Sequence, residues 1–251
     1  DLHKEYRRQR QMCIETGGAV TIGNVQTVNG KDVFTGSLTA GKTLTLEKGF
    51  TNATSVVAAE TVVTGADVEV INDTKATMDL GNLSIAAHKK LALTNHNSGS
   101  AVTASKLTLD GELTVAGNEF ELTGEGSANK GKITIDGGVF TIGGTLANSG
   151  TIAFGAAGST LVVDGSLENA GTNAKIGDGT TTNGKLEVAG TLTNKNQVSA
   201  NGIKVSGKLS NLSSDATGDT YTGKISAATL TIEKLSLIHI FRAHETCADL
   251  V

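Results

Sequence analysis

The chain has 251 residues, and its 21 Lys and Arg residues against 25 Asp and Glu residues give a formal net charge of −4. This mild acidic excess argues against a nucleic-acid-binding groove. No apolar run approaches the roughly 18 residues of a membrane helix, so we predict no direct membrane insertion by this segment. Val, Ile and Leu alternate regularly with polar residues, which excludes a disordered composition.

Residues 1–16 differ in composition from the part of the chain that follows. They contain Cys13 and three of the four Arg residues, and they contain no Gly. The string RRQRQMCI at 7–14 resembles the translated inner arm and transposon end of a transposase-based DNA sequencing adapter. We therefore predict that residues 1–16 are a non-native, adapter-derived tail that is not part of the fold. The alternative is a basic amino-terminal arm.

Residues 17–234 are predicted to form one all-β domain, interpreted as an internal fragment of a longer protein. Short apolar runs alternate with Thr, Lys and Glu, the period of a half-buried strand. Asn-Gly and Asp-Gly pairs between the runs indicate turns. The stretch 85–93 could suggest a helix, but it is short and lies between alternating strands, so we interpret it as a turn or loop. The predicted strands are 20–22, 44–46, 68–70, 83–85, 91–93, 107–109, 113–115, 120–122, 133–135, 139–142, 152–154, 161–163, 186–188, 203–205 and 230–232.

One phrase, apolar-x-apolar-x-Gly-x-Leu, recurs through the second half of the chain. It predicts a strand, a turn glycine and a second short strand. Copies start at Leu107, Phe140, Leu161, Leu186 and Ile203. Repetition at this spacing is typical of a stacked repeat architecture.

The repeat positions predict a parallel β-solenoid with rungs of about twenty residues. We expect the repeat leucines to point inward and stack, the glycines to lie beside turns, and the Asn residues to bond from rung to rung. Because Asn-Gly and Asp-Gly are also hairpin signals, an antiparallel β-sandwich or hairpin array is the alternative. The leucines are Leu146, Leu167, Leu192 and Leu209, the glycines are Gly144, Gly165, Gly190 and Gly207, and the asparagines are Asn148, Asn169, Asn194 and Asn211.

The phrases GTLANSGTIAF, GSLENAG and GTLTNKNQVSANGIKVSG are similar to passenger regions of bacterial autotransporters and related filamentous adhesins. The resemblance covers about residues 107–212 and concerns repeat style, so it carries over no functional residue. It implies a right-handed parallel β-helix displayed outside a Gram-negative cell. It therefore predicts a non-enzymatic adhesin or structural stalk segment, surface-displayed or secreted, that binds host or cell-surface glycans or proteins.

Clustered carboxylates could indicate an enzyme, because some β-helix proteins cleave polysaccharides and such chemistry commonly uses Asp and Glu. Glu119, Glu121 and Glu125 cluster, and alternation places Glu119 and Glu121 on one face of a strand. The favoured interpretation is a solvated strand face. A β-helix polysaccharide lyase or hydrolase is the alternative function.

The sequence predicts no catalytic residues, no metal site and no cofactor. His88 and His96 are the histidines of residues 17–234, and their polar neighbours indicate a solvated loop. A zinc site requires spaced Cys and His, and this segment contains no Cys. The neighbours are Lys89, Lys90, Asn95 and Asn97.

Two further patterns have simple structural interpretations. Gly177-Asp178-Gly179 and Asp136-Gly137-Gly138 resemble calcium-binding repeats but lack the nonapeptide period, so we predict turns. Thr-x-Thr pairs suggest an ice- or glycan-binding face as another alternative, although strand propensity explains them more simply. The pairs are Thr43/Thr45, Thr191/Thr193, Thr220/Thr222 and Thr229/Thr231.

The carboxy-terminal residues 235–251 again differ from the repeats. The strings LSLIHI at 235–240 and RAHET at 242–246 resemble translated adapter sequence, the second one nucleotide out of frame. We predict a second non-native tail, with an apolar carboxy-terminal strand as the alternative. Because Cys13 and Cys247 both lie in these tails, they indicate neither a disulfide nor a redox compartment.

Overall fold

The computed structural model describes residues 20–22, 24–28, 31–180, 183–213 and 221–233, with side chains from residue 36 onward. Parallel strands stack as an all-β solenoid with rungs about 22 residues apart, and the described residues contain no helix. The predicted solenoid is therefore confirmed. No described element is a helix that is long and apolar enough to cross a membrane. The tails predicted at 1–16 and 235–251 lie outside the described residues.

Each turn of the solenoid passes through three faces, which we number in the order that the chain visits them. On the first face, strands of neighbouring turns pair in parallel, as in the register of Phe120 with Phe140. The strands of this face are the first parts of Leu38–Leu46 and Ser55–Val63, then Thr77–Asp79, Val102–Ala104, Phe120–Leu122, Val139–Ile142, Thr160–Val163 and Lys185–Val188, and the last parts of Gln197–Val205 and Lys224–Ile232.

The second face carries the short strands that follow the repeat glycines. They pair in parallel, with Leu146 opposite Leu167 and Leu167 opposite Leu192. The strands are the last parts of Leu38–Leu46 and Ser55–Val63, then Asn82–Ile85, Lys106–Leu109, Ser127–Asn129, Leu146–Asn148, Leu167–Asn169, Leu192–Asn194 and Leu209–Asn211.

The third face completes each turn before the chain returns to the first face. Its middle strands are the longest, and Lys90–Asn95 pairs along its whole length with both neighbours. The strands are Val20–Ile22, Phe50–Asn52, Asp67–Asn72, Lys90–Asn95, Glu112–Gly117, Lys132–Asp136, Thr151–Phe154 and Lys175–Ile176, and the first parts of Gln197–Val205 and Lys224–Ile232.

One antiparallel pair accompanies the solenoid. Asn24–Val28 pairs with Lys31–Thr35, and Val28 lies opposite Lys31 across a two-residue connection. The hairpin interpretation fits this pair, but it is wrong for the described solenoid, whose strands pair in parallel. At Asp164-Gly165, for example, the chain passes from one face to the next and does not reverse onto its own strand.

The core lies along the axis and is built by period-two alternation. In strand Thr160–Val163, Leu161 and Val163 are fully buried, while Thr160 and Val162 are partly exposed. Phe120 and Phe140 stack on neighbouring turns with ring centroids 5.2 Å apart. The repeat leucines are also buried and in register, so the prediction that they stack inward is confirmed.

The repeat glycines line the corner between the first and second faces. The Gly165 N–H donates to the Gly144 carbonyl at 3.1 Å, and the Gly190 N–H donates to the Gly165 carbonyl at 3.0 Å. A Cβ atom on Gly165 or Gly190 would meet the carbonyl of the preceding turn well inside van der Waals contact. Glycine is therefore needed here because two backbones approach closely.

Two ladders of buried asparagine run parallel to the axis. Asn148 Nδ2 donates to Asn169 Oδ1 at 2.7 Å, and Asn169 Nδ2 donates to Asn194 Oδ1 at the same distance. This second-face ladder begins at Asn129, ends at Asn211, and confirms the predicted rung-to-rung bonding. A separate third-face ladder comprises Asn52, Asn72 and Asn95.

Candidate binding surfaces

The two histidines lie in exposed connections, as predicted. His88 is in the turn between Asn82–Ile85 and Lys90–Asn95, where its φ is 64°, and His96 follows the second strand. The expected solvation of their neighbours is wrong for Asn95 and Asn97, which are buried at 1% and 8% exposure. The Asn97 side-chain amide donates to the Ala76 carbonyl of the preceding turn at 2.7 Å. Because this hydrogen bond replaces one to water, the amide can be buried.

The three clustered carboxylates each lie on the outer surface. Glu119 accepts a hydrogen bond from the Thr141 hydroxyl at 2.8 Å, and Glu125 accepts one from the Thr145 N–H at 3.1 Å. Glu121 is half-buried on the first face. Glu119 and Glu125 therefore connect neighbouring turns from exposed positions outside the strands. Only Glu121 lies on a strand, Phe120–Leu122, so the strand-face interpretation fits Glu121 alone. The described residues include no group of three His, Cys, Asp or Glu side chains that could hold a metal ion.

The two Gly/Asp sequences form the predicted turns. Gly137 and Gly138 have φ values of 74° and 85°, which favour glycine. In the second turn, Asp178 accepts hydrogen bonds from the Thr180 hydroxyl at 2.6 Å and from its N–H at 2.8 Å. These bonds stabilise the carboxylate and lower the pKa of Asp178 from its ordinary value.

The Thr-x-Thr pairs do not form one array. Thr43 and Thr45 lie on the second face, whereas Thr229 and Thr231 lie on the first. Thr193 is on the second face and Thr191 precedes it at the corner. Thr220 lies outside the described residues, so the pair that it forms with Thr222 stays a prediction.

A column of outward side chains, polar except for Val162, runs along the first face. Its members are in register on successive strands and are half-buried or exposed. Near its carboxy-terminal end, Lys204 Nζ lies 2.8 Å from Glu233 Oε1, and this pairing raises the pKa of the Lys204 ammonium and lowers that of the Glu233 carboxyl. We call this the first-face column; it comprises Thr103, Glu121, Thr141, Val162, Glu187, Lys204 and Thr231.

A different surface is found where the second face meets the third. Charged side chains on four successive turns alternate in sign there, and the Lys90 ammonium lies 3.7 Å from Asp67 and 4.0 Å from Glu112. Two shallow depressions lie at this corner, and each is lined by charged groups of both signs. We call these groups the charge rows; they are Asp67 and Glu69, then Lys89 and Lys90, then Asp110 and Glu112, then Lys130 and Lys132.

Comparisons of the chain with protein-family profiles, with curated proteins and with solved structures found no match. The similarity to autotransporter passengers and filamentous adhesins therefore remains an expectation based on repeat style. The surfaces described above are the structural basis for a functional proposal.

Proposed function

We propose that the chain is a non-enzymatic segment of a surface-displayed or secreted bacterial protein, and that it acts as a stalk that presents repeated weak binding positions. The observation that carries this proposal is the first-face column, where outward polar groups recur in register on every turn from Thr103 to Thr231 except at Val162. Neighbouring turns lie about 4.8 Å apart, so the column offers closely and regularly spaced groups.

The interior supports a role that requires rigidity. Large side chains such as Phe140 and Leu161 are fully buried and pack continuously along the axis. Each turn contacts its neighbours on all three faces, which holds the outer groups at fixed separations. A rigid support of this kind limits the entropy that is lost when several groups engage one partner.

The partner class follows from the chemistry of the column. Thr hydroxyls and the Lys204 ammonium donate hydrogen bonds, while Glu121 and Glu187 accept them. These groups suit the hydroxyls and carboxylates of cell-surface glycans and the polar surfaces of proteins. Each contact is weak, and repetition along one rod raises the total affinity because the contacts are linked.

Binding of the full chain to an array of host and bacterial surface polysaccharides tests the proposal. We expect T103A, T141A or T231A alone to weaken binding less than about threefold, whereas the triple variant weakens it at least about tenfold. The matched control is T45A/T108A/T193A, which removes the same number of outward hydroxyls from the second face.

Two results would overturn this proposal. Equal losses in the first-face triple variant and in the second-face control would show that the column is not the binding surface. A polysaccharide-cleaving activity that disappears in a single carboxylate variant such as E121Q would replace the stalk with the enzyme alternative.

A further inference from the structure

The charge rows alternate in sign along the axis of the rod. In the outermost column of these rows, Lys90 is in register with Asp67 on one side and with Glu112 on the other, and Glu112 is in register with Lys132. The order along the axis is therefore acidic, basic, acidic, basic. The side chains of Asp67, Lys90 and Glu112 remain 79%, 52% and 49% exposed, so their charges are available to a partner.

We propose that the third face binds a second copy of the chain in antiparallel orientation. A two-fold axis parallel to the strands, midway between Lys90 and Glu112, reverses the order of the rows while it keeps each column in place. It sets Lys90 opposite the partner's Glu112 and Asp67 opposite the partner's Lys132. All four rows then face the opposite charge, and the interface is isologous.

The same pattern disfavours parallel association in register. Two parallel rods that meet at the same height would bring each row against a row of the same sign, and like charges across an interface are repulsive. The antiparallel arrangement is thus selected by the order of charges on this face. It also extends the pairing within the chain, since each ion gains an opposite charge across the interface.

The surface beside the charge rows is flat enough for two sheets to meet. The outward side chains of its two inner strands are small and half-buried beyond Lys90 and Glu112, which permits the spacing of about 10 Å at which sheets pack. The outer two strands also carry the larger Glu69, Ile71 and Asp136. Three strands of six residues and one of five span on the order of 400 Å² per copy, at the low end for protein interfaces. We therefore expect a weak, salt-sensitive dimer. The small residues are Ala92, Thr94, Thr114, Ala116 and Thr134.

Sedimentation of the full chain under reducing conditions tests the inference. At low ionic strength we expect concentration-dependent dimers, and at about 1 M salt, where the screening length falls to about 3 Å, we expect monomers. K90E and E112K should each weaken dimerisation by about tenfold or more. The Lys90–Glu112 contact occurs twice across the two-fold axis, so each substitution makes two attractive contacts repulsive. Matched controls are K204E and E168K, which disrupt ion pairs on other faces and should dimerise like the wild type.

A mixing experiment separates an interface from pairing within one chain. In a mixture of K90E with labelled E112K, the two substituted side chains face each other across the interface with opposite charges. The unchanged Glu112 of the first variant likewise faces the unchanged Lys90 of the second, so both contacts are attractive. We expect the mixture to form heterodimers at concentrations where each variant alone is monomeric.

Two outcomes would overturn the inference. One is a wild-type chain that stays monomeric at low salt, and the other is a mixture of the two variants that stays monomeric. The proposed binding role of the first face does not depend on either result, because the first-face column and the charge rows share no residue.

Discussion

At the scale of single residues, the asparagine ladder makes each side-chain amide depend on its neighbours. Asn169 accepts from Asn148 and donates to Asn194, and it is completely buried. Asn129 stands at the start of the ladder, and its Oδ1 is buried without a hydrogen-bond partner among the described residues. The preceding turn places Leu109 in register with Asn129, and leucine has no group to donate. Equivalent residues in this ladder therefore differ in how well they are satisfied.

We predict that N169L destabilises the fold more than N129L, by on the order of 1–3 kcal/mol. N169L leaves Asn148 without its acceptor in the ladder and Asn194 without its donor. N129L removes an unsatisfied oxygen and deprives only Asn148 Oδ1 of its ladder donor. The two changes have the same chemistry, and denaturant unfolding compares them directly. Equal losses of stability would contradict this interpretation of the ladder.

The repeat leucines allow a second prediction at this scale. Leu167 is 1% exposed and packs between the turns that hold Leu146 and Leu192, so L167A should destabilise by about 2–5 kcal/mol through lost packing and a residual cavity. The adjacent Glu168 points outward and pairs with Lys195 at 3.2 Å, so E168Q should change stability by less than about 1 kcal/mol. Denaturant midpoints and slopes measure both variants, and a similar effect at the two positions would contradict the inward stacking.

At the scale of elements, the glycine corner sets how closely successive turns approach. We predict that G165A destabilises by about 1–3 kcal/mol, because its Cβ would meet the Gly144 carbonyl and force the corner apart. Gly41 is the matched control: it has open space around its Cβ position and its φ is outside the left-handed region, so G41A should be neutral or slightly stabilising. Thermal unfolding of the two variants measures the difference. A G165A variant as stable as wild type would show that the corner is free to widen.

Strands with clear alternation could be predicted from the sequence. Runs such as 107–109 and 161–163 carry two inward apolar residues, and the structure places strands there. Shorter or more polar strands were missed. Ser127–Asn129 has inward Ser127 where the following turn has Leu146, and its other inward residue is the ladder residue Asn129, so its sequence shows no apolar period. Its pairing strands, Lys106–Leu109 and Leu146–Asn148, lie on the neighbouring turns. They are distant in the sequence, so the local sequence does not indicate this strand.

The candidate surfaces depend on register, which the sequence does not display. Lys90 is 23 residues from Asp67 and 22 from Glu112, and only the pairing of the turns shows that the three side chains are neighbours. The third-face ladder was missed because Asn72 and Asn95 lie outside the recurring phrase that identified the second-face ladder. Loop lengths differ between turns, and a shift of one residue would reverse which side chains face outward.

At the scale of the whole molecule, the rod is stabilised by contacts between successive turns, so its ends differ from its middle. The last described strand, Lys224–Ile232, pairs with Gln197–Val205 on one side. Its apolar residues are less covered than those of inner turns: Leu230 is 47% exposed, whereas the equivalent Ile203 is 2% exposed. Apolar residues that cover Leu230 and the rest of this strand would therefore stabilise the fold.

This difference leads to a prediction about the two tails. If residues 1–16 are adapter-derived, as predicted, they were not selected to pack against the repeats, and their deletion should leave the melting temperature nearly unchanged. Deletion of residues 235–251 is the more demanding test, since 235–241 is apolar and follows the incompletely covered last strand. Apolar segments can add to an open sheet edge without being native. We therefore expect any loss of stability to come from the carboxy-terminal deletion.

Thermal unfolding of the two separate deletions and of the double deletion, at equal protein concentration, measures these contributions. If the tails are independent, the effect of the double deletion should equal the sum of the single effects within about 0.5 kcal/mol. A variant that keeps the full length but carries L237D in the carboxy-terminal tail distinguishes apolar covering from a simple effect of length. A loss of several kcal/mol on removing residues 1–16 would contradict the adapter interpretation, because it would require specific packing from that segment.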